Sequence, residues 1–157
     1  MKKALALAVL LAACSAEPSR LAADFALPDL AGKTVTLSSY RGKTVLLNFW
    51  ATWCDSCKEE TPFLQDLHAR LAAKGLVVLG VSVDDDAAKV LPPFLKGYKV
   101  TYPVAVSDRR VMEAYAVRGL PTTFLVDAEG KVVRRWSGPL DPRAENDILA
   151  ELSRREK

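Results

Sequence analysis

Histidine occurs once and cysteine three times in the 157-residue chain, and both scarcities exclude classes of protein. A structural zinc site takes four ligands. The only side chains that could join Cys54 and Cys57 are Cys14, near the start, and His68, some three turns away along a helix, so no metal is expected. Three cysteines are too few for a disulfide framework, and the odd number asks what the third one does. Eight glycines and nine prolines exclude collagen-like, low-complexity and disordered chains. No apolar run approaches the roughly 20 residues of a spanning helix. Charge is nearly balanced, 22 basic residues against 19 acidic for a net +3, which gives no argument for a nucleic-acid partner. What is present is a half-hydrophobic chain of a length that suits one domain with its own core.

The start of the chain reads as an address. Met1-Lys2-Lys3 is a basic head, followed by an apolar run from Ala4 to Ala13. Ten residues are too short for a stable anchor, but this is the form of a secretory signal. The run closes on Leu11-Ala12-Ala13-Cys14, which resembles a bacterial lipobox. That resemblance implies cleavage before Cys14 and a lipid on its sulfur; an ordinary signal peptide with a stray cysteine is the alternative. Residues 1–13 are then the signal, 14–22 a lipidated tether and 23–157 the folded domain, exported to where disulfides persist. Loss of Lys2 and Lys3 leaves a net charge of +1.

Hydrophobic periodicity predicts an α/β fold. Asp24 to Leu27 and Thr34 to Leu37 flank Ala31-Gly32-Lys33 as a β-hairpin. Val45 to Trp50 and Val77 to Val83 are continuous apolar runs that suit strands buried on both faces. Between them, Phe63, Leu64, Leu67 and Leu71 keep helical spacing in a helix from Cys54 to Lys74 that stops at Gly75. Asp84-Asp85-Asp86 reads as the acidic start of a second helix. Strands over Tyr102–Val106, Thr122–Val126 and Val132–Trp136, a short helix over Asp108–Ala116, and a closing helix from Asp141-Pro142 complete the pattern. This predicts a sandwich with a mostly parallel centre and an antiparallel edge.

Cys54-Asp55-Ser56-Cys57 falls where the first buried strand gives way to the first long helix. A helix N-terminus offers unpaired N–H groups and the positive end of a dipole, which lower a thiol pKa. The two-residue spacing lets Cys57 reach back to a mixed disulfide on Cys54, so Cys54 is the expected nucleophile, exposed at the tip, and Cys57 the shielded resolving thiol. An inert disulfide or half of a zinc site are the other readings of the pair. His68 is expected on the helix surface.

Phe49-Trp50-Ala51-Thr52-Trp53-Cys54-Asp55-Ser56-Cys57, with Pro62 five residues on, resembles the active-site segment of the thioredoxin superfamily. Gly119-Leu120-Pro121-Thr122-Thr123-Phe124 resembles its second signature. The likeness spans about Asp24 to Leu152. It implies a thioredoxin-like three-layer α/β/α sandwich with a central mixed sheet, an N-terminal β-hairpin and a strand-helix insert. It also implies a cis bond before Pro121 and client binding around Trp53, Asp55, Ser56, Gly119 and Leu120. An X-Pro bond is the one that adopts cis cheaply, and proline leaves no N–H unpaired beside the sulfurs.

Asn48 stands where thioredoxin has a buried aspartate, so the usual proton acceptor is missing. Glu60, three residues after Cys57, shares a helix face with it, whereas Glu59 is expected in solvent. The segment Cys57-Lys58-Glu59-Glu60-Thr61-Pro62 resembles membrane-tethered TlpA/ResA-like oxidoreductases. In these a glutamate at that spacing tunes cysteine ionisation. The resemblance implies an extracytoplasmic reductant of exported disulfide proteins, such as apocytochrome c, recharged by a membrane thiol-disulfide donor. A monomer is expected, with the Cys54–Cys57 pair as its only redox group and the lipid on Cys14 as its membrane contact. Asp55, acidic and without a cation between the cysteines, favours a reducing couple. Two other functions compete. A peroxiredoxin needs Pro-x-x-x-Thr-x-x-Cys, but Leu47 and Ala51 precede Cys54 at those positions, and Trp50 and Cys54 precede Cys57. A non-catalytic peptide-binding module would have no need of either thiol.

Overall fold

The computed structural model describes residues 20–154. They form β1 (Ala26–Pro28), β2 (Thr34–Thr36), β3 (Thr44–Trp50), α1 (Asp55–Leu71), β4 (Leu76–Ser82), α2 (Ala87–Gly97), β5 (Val104–Val106), α3 (Arg109–Ala114), β6 (Thr122–Val126), β7 (Val132–Ser137) and α4 (Pro142–Arg154). β1 and β2 pair as the antiparallel hairpin, and the other five strands form one mixed sheet in the order β5-β4-β3-β6-β7.

All seven residues of β3 are buried because the sheet is covered on both faces. Successive side chains point to opposite faces. Leu46 and Trp50 join Leu64, Leu67 and Leu71 of α1, Leu91 of α2 and Ile148 of α4 in one apolar layer. Val45, Leu47 and Phe49 face the other way, toward Leu27 and Phe25 of the N-terminal segment and Val111 and Tyr115 of the α3 region. The result is the thioredoxin-like sandwich.

The centre is less parallel than the periodicity suggests. β3 pairs in parallel with β4, and β4 with β5, but β6 runs antiparallel to β3 and β7 antiparallel to β6. The connection from β5 to β6, residues 107–121, has only the six-residue α3 as regular structure. Such a helix is about 9 Å long, too short to carry the chain back along the sheet. The chain therefore enters β6 at the edge where β5 left it. That route has a functional consequence. The loops after β3, after β4 and before β6 all lie along one edge of the sheet, which brings residues 51–54, 83–86 and 119–121 together.

The helix ends show the local chemistry. After α1 a single 3-10 turn, Ala72–Lys74, is closed by Gly75 at φ 90°, a conformation that favours glycine. At α4, Asp141 accepts the N–H of Arg143 at 2.8 Å, and Pro142 takes the first helical position. The aspartates before α2 depart from expectation. Asp86 occupies the N-cap position but makes no side-chain cap bond. Asp84 is buried and its carboxylate turns to the loop after β3. His68 is half-buried rather than on the open surface, its ring edge-on to Tyr102 with centroids 6.1 Å apart.

Candidate active site

Cys54 is the N-cap of α1, with extended backbone (φ −89°, ψ 111°), and its sulfur accepts the backbone N–H of Cys57 at 3.3 Å. A sulfur in that place receives an orphan helix donor and sits at the positive end of the dipole. Ser56 Oγ lies 3.5 Å from the same sulfur. Cys54 and Cys57 are disulfide-bonded, with their Cα atoms 5.2 Å apart. In this oxidised form Cys54 is only 8% exposed and Cys57 2%. The first cysteine is thus far less open than its place at the tip suggests, since the bond to Cys57 draws its sulfur over the helix end. The exposed side chain beside it is Trp53, at 66%.

One turn further along the same face stands Glu60, 4% exposed. Its Oε1 accepts the N–H of Leu140 at 2.7 Å, and its Oε2 accepts Nδ2 of Asn48 at 3.0 Å. Asn48 Nδ2 also donates to Thr123 Oγ1 at 2.9 Å, so β3, α1, β6 and the turn before α4 meet at one carboxyl. Burial pushes Glu60 up from an ordinary 4.5 to about 7, against the two hydrogen bonds that favour its charged form. Tyr102, hydrogen-bonded to Thr61, is raised by burial and then by the charge of Glu60, and stays a neutral phenol.

The Leu120–Pro121 peptide bond is cis. Gly119 and Leu120 line a cleft of about 550 Å³ together with Trp53 and Cys54. Val83, Met112, Val117 and Arg118 complete its lining. The cleft is mainly apolar, with one guanidinium at its rim, and it opens onto the disulfide.

A family model for the AhpC/TSA family matches residues 18–135. The chain belongs to the AhpC/TSA family. Thiol-disulfide oxidoreductase ResA of Bacillus subtilis is 40% identical over 129 residues, covering 82% of this chain and 72% of the relative. Among solved structures, a provisionally assigned thiol:disulfide interchange protein DsbE from Chlorobium tepidum superposes with a TM-score of 0.80 at 35% identity, over 85% of this chain and 96% of the other. A thioredoxin-family thiol:disulfide interchange protein from Chlorobium tepidum TLS gives 0.77 at 26% identity, over 85% and 97%. With the Cys54–Cys57 disulfide formed at the helix N-terminus, this AhpC/TSA-family chain is a thiol-disulfide oxidoreductase of the ResA/DsbE type.

In this oxidoreductase, Trp53, Cys54, Gly119 and Leu120 line the cleft, Cys57 and Glu60 are buried on α1, and Pro121 follows the cis bond, but Asp55 and Ser56 do not line the cleft. Asp55 is 89% exposed at its side chain and forms an ion pair with Lys58 at 2.8 Å. The sequence has no cation between the cysteines, but Lys58 just beyond Cys57 pairs with Asp55. Lys58, one turn on, provides the cation, and its hydrogen bond and charge hold Asp55 below the usual carboxylate range. Glu59 is exposed, as expected from its position off the Glu60 face. Missed altogether were the roles of Thr123 and Leu140 and the place of Val83, Met112, Val117 and Arg118 in the cleft lining. Thr123 belongs to a motif already in view, whereas Leu140 contributes only a backbone N–H and leaves no side-chain signal. Cys14 lies outside the described residues. Among the described residues no helix is long and apolar enough to cross a membrane.

Proposed function

We propose that the protein is an extracytoplasmic, lipid-anchored reductant of disulfides in exported proteins, of which apocytochrome c is the type of client, with Cys54 as attacking thiol and Cys57 as resolving thiol. The observation that carries the reading is the cysteine pair at the N-cap of α1, with a buried carboxyl one turn away whose pKa is raised to about 7.

The Cys54 thiolate attacks one sulfur of a client disulfide, forming a mixed disulfide and releasing the other client sulfur as a thiolate that takes up a proton. Cys57, once deprotonated, attacks the Cys54 sulfur, closing the Cys54–Cys57 disulfide and releasing the second client thiolate. Two electrons pass to the client. Glu60 suits the role of proton acceptor for Cys57, because a base poised near neutral pH is the efficient one. The apolar cleft suits an extended client segment whose backbone pairs beside Leu120, with Trp53 as a contact. A membrane dithiol donor of the same chemistry returns the pair to the reduced form. No bound cofactor is invoked beyond the disulfide, nor any nucleic-acid partner. Residues 1–13 act as the signal, and lipid on Cys14 holds the 23–157 domain at the membrane as a monomer.

Cys57→Ala is expected to accumulate a mixed disulfide at Cys54 with the client in cells, separable on non-reducing gels and released by dithiothreitol. Absence of any adduct while Cys54 remains alkylatable sinks the reductase reading and favours a non-catalytic binder. Cys14→Ala is expected to shift the protein from the membrane fraction to the soluble one with insulin-disulfide reduction unchanged. Retention in the membrane contradicts the anchor.

A further inference from the structure

Asp84 is a buried acid that the exchange chemistry above does not use. It follows β4 by two residues, at the sheet edge where β3 also ends. The two strands are parallel, with Trp50 opposite Ser82, and the N–H of Val83 donates to Trp50 O at 2.9 Å, carrying the pairing one step beyond the sheet. From there only Ala51, Thr52, Trp53 and Cys54 separate β3 from α1. The Asp84 carboxylate takes hold of this loop at Thr52. Its two oxygens share the Thr52 backbone N–H at 3.2 and 3.1 Å, Oδ1 accepts the Thr52 hydroxyl at 2.6 Å, and Oδ2 accepts Ser82 Oγ at 2.8 Å. Among the described residues no cation is paired with it, so donors alone hold this carboxylate.

We infer that Asp84 is a positioning residue for Cys54. Thr52, two residues upstream, is clamped through both its backbone and its hydroxyl. Cys54 N–H donates to Ala51 O at 3.2 Å across the turn that Thr52 begins, so the nucleophile hangs from the clamped point. Held there, the Cys54 sulfur meets the Cys57 N–H and the helix dipole while Trp53 is displayed to the cleft. Released, the loop loses that alignment, and displacement at sulfur is sensitive to misplacement on the ångström scale. The carboxylate acts through geometry, so an amide serves nearly as well. In the Asp84→Asn variant the amide oxygen would take both Thr52 donors, and the amide NH2 would donate to Ser82 Oγ, whose hydroxyl can turn to accept.

The inference rests on Cys54 as the attacking thiol, and the test separates the two. Single-cysteine variants Cys57→Ala and Cys54→Ala are alkylated with iodoacetamide against pH. Faster reaction at Cys57 than at Cys54 overturns the attack assignment itself. In the Cys57→Ala background, Asp84→Ala is expected to slow Cys54 alkylation at neutral pH about tenfold, and in the two-cysteine protein to lower insulin reduction by a similar factor. Asp84→Asn is expected to stay within about threefold of the parent in both assays, because it restores the geometry without the charge. Equal effects of Ala and Asn, or an Ala variant within twofold of the parent while its urea midpoint falls, overturn the inference. The first assigns Asp84 to charge and the second to stability alone. Should Asp84→Ala not fold, Thr52→Val removes only the 2.6 Å hydroxyl bond. A fall in Cys54 alkylation of about threefold at a parental midpoint supports the clamp, and an unchanged rate refutes it.

Discussion

Replacing Glu60 by glutamine tests the buried carboxyl through stability, independently of any client. Folding raises Glu60 from an ordinary 4.5 to about 7, chiefly by taking it out of water. Across that window the native state holds a proton that the unfolded chain has released, so stability falls as pH rises from 4.5 to 7. Below 4.5 both states are protonated and nothing is lost; above 7 the loss is complete. At about 1.4 kcal/mol per pH unit, the native state gives up about 3 kcal/mol between those limits. Glutamine does not titrate. Its carbonyl can still accept the Leu140 N–H, and a 180° turn of the Asn48 amide presents an oxygen to the new NH2 group while Thr123 donates its hydroxyl. Any fixed cost of that rearrangement is the same at every pH. The informative quantity is therefore the change in the difference between the two proteins, not the difference itself. Urea unfolding of the oxidised forms, which keeps thiol titration out of the measurement, is carried out from pH 4.5 to 8. The free-energy gap in favour of Glu60→Gln is expected to widen by about 3 kcal/mol, or about 1.5 M in midpoint. A gap constant to within about 1 kcal/mol over that range would falsify the reading of Glu60 as a carboxyl kept protonated by burial.

Asn48→Leu removes the donor shared by Glu60 and Thr123, leaving the charged carboxyl with Leu140 N–H alone. The neutral form gains, and the Glu60-dependent step in this pH series, or in the pH profile of insulin reduction, is expected to move to higher pH; an unmoved step contradicts the network. Gly80→Ala tests the packing beneath the site. A Cβ there would lie 2.9 Å from Trp50 Nε1, 3.2 Å from Tyr102 and 3.3 Å from Val104, all in the buried layer under α1 and α2. Neither ring can swing away freely, so a loss of about 1–3 kcal/mol is expected by thermal or urea unfolding, with insulin reduction by the folded fraction unchanged. A neutral substitution would mean that the layer is looser than drawn.

Much of this site was legible because its chemistry resides in side chains at short, fixed spacings. Cys54 and Cys57 sit at a strand-to-helix boundary marked by an apolar run before it and helical periodicity after it. Glu60 follows from counting three positions along that helix. What spacing could not supply is the company each residue keeps across the sheet. Asp84, in a run of three aspartates before a helix, carries the local mark of dipole stabilisation, yet its partner is 32 positions away and reached only because β3 and β4 are parallel in one register. Local sequence describes such a residue by its neighbours in the chain, whereas its energy is decided by whether burial leaves it donors. The two acids beside the disulfide resolve that need differently. Asp84 gathers a backbone N–H and two hydroxyls and has a geometric task. Glu60 has one N–H and one amide, which oppose but do not cancel the burial that raises it to about 7. The two acids are alike in composition; the partners that the fold brings to each set them apart, Thr52 and Ser82 around Asp84 and Asn48 and Leu140 around Glu60.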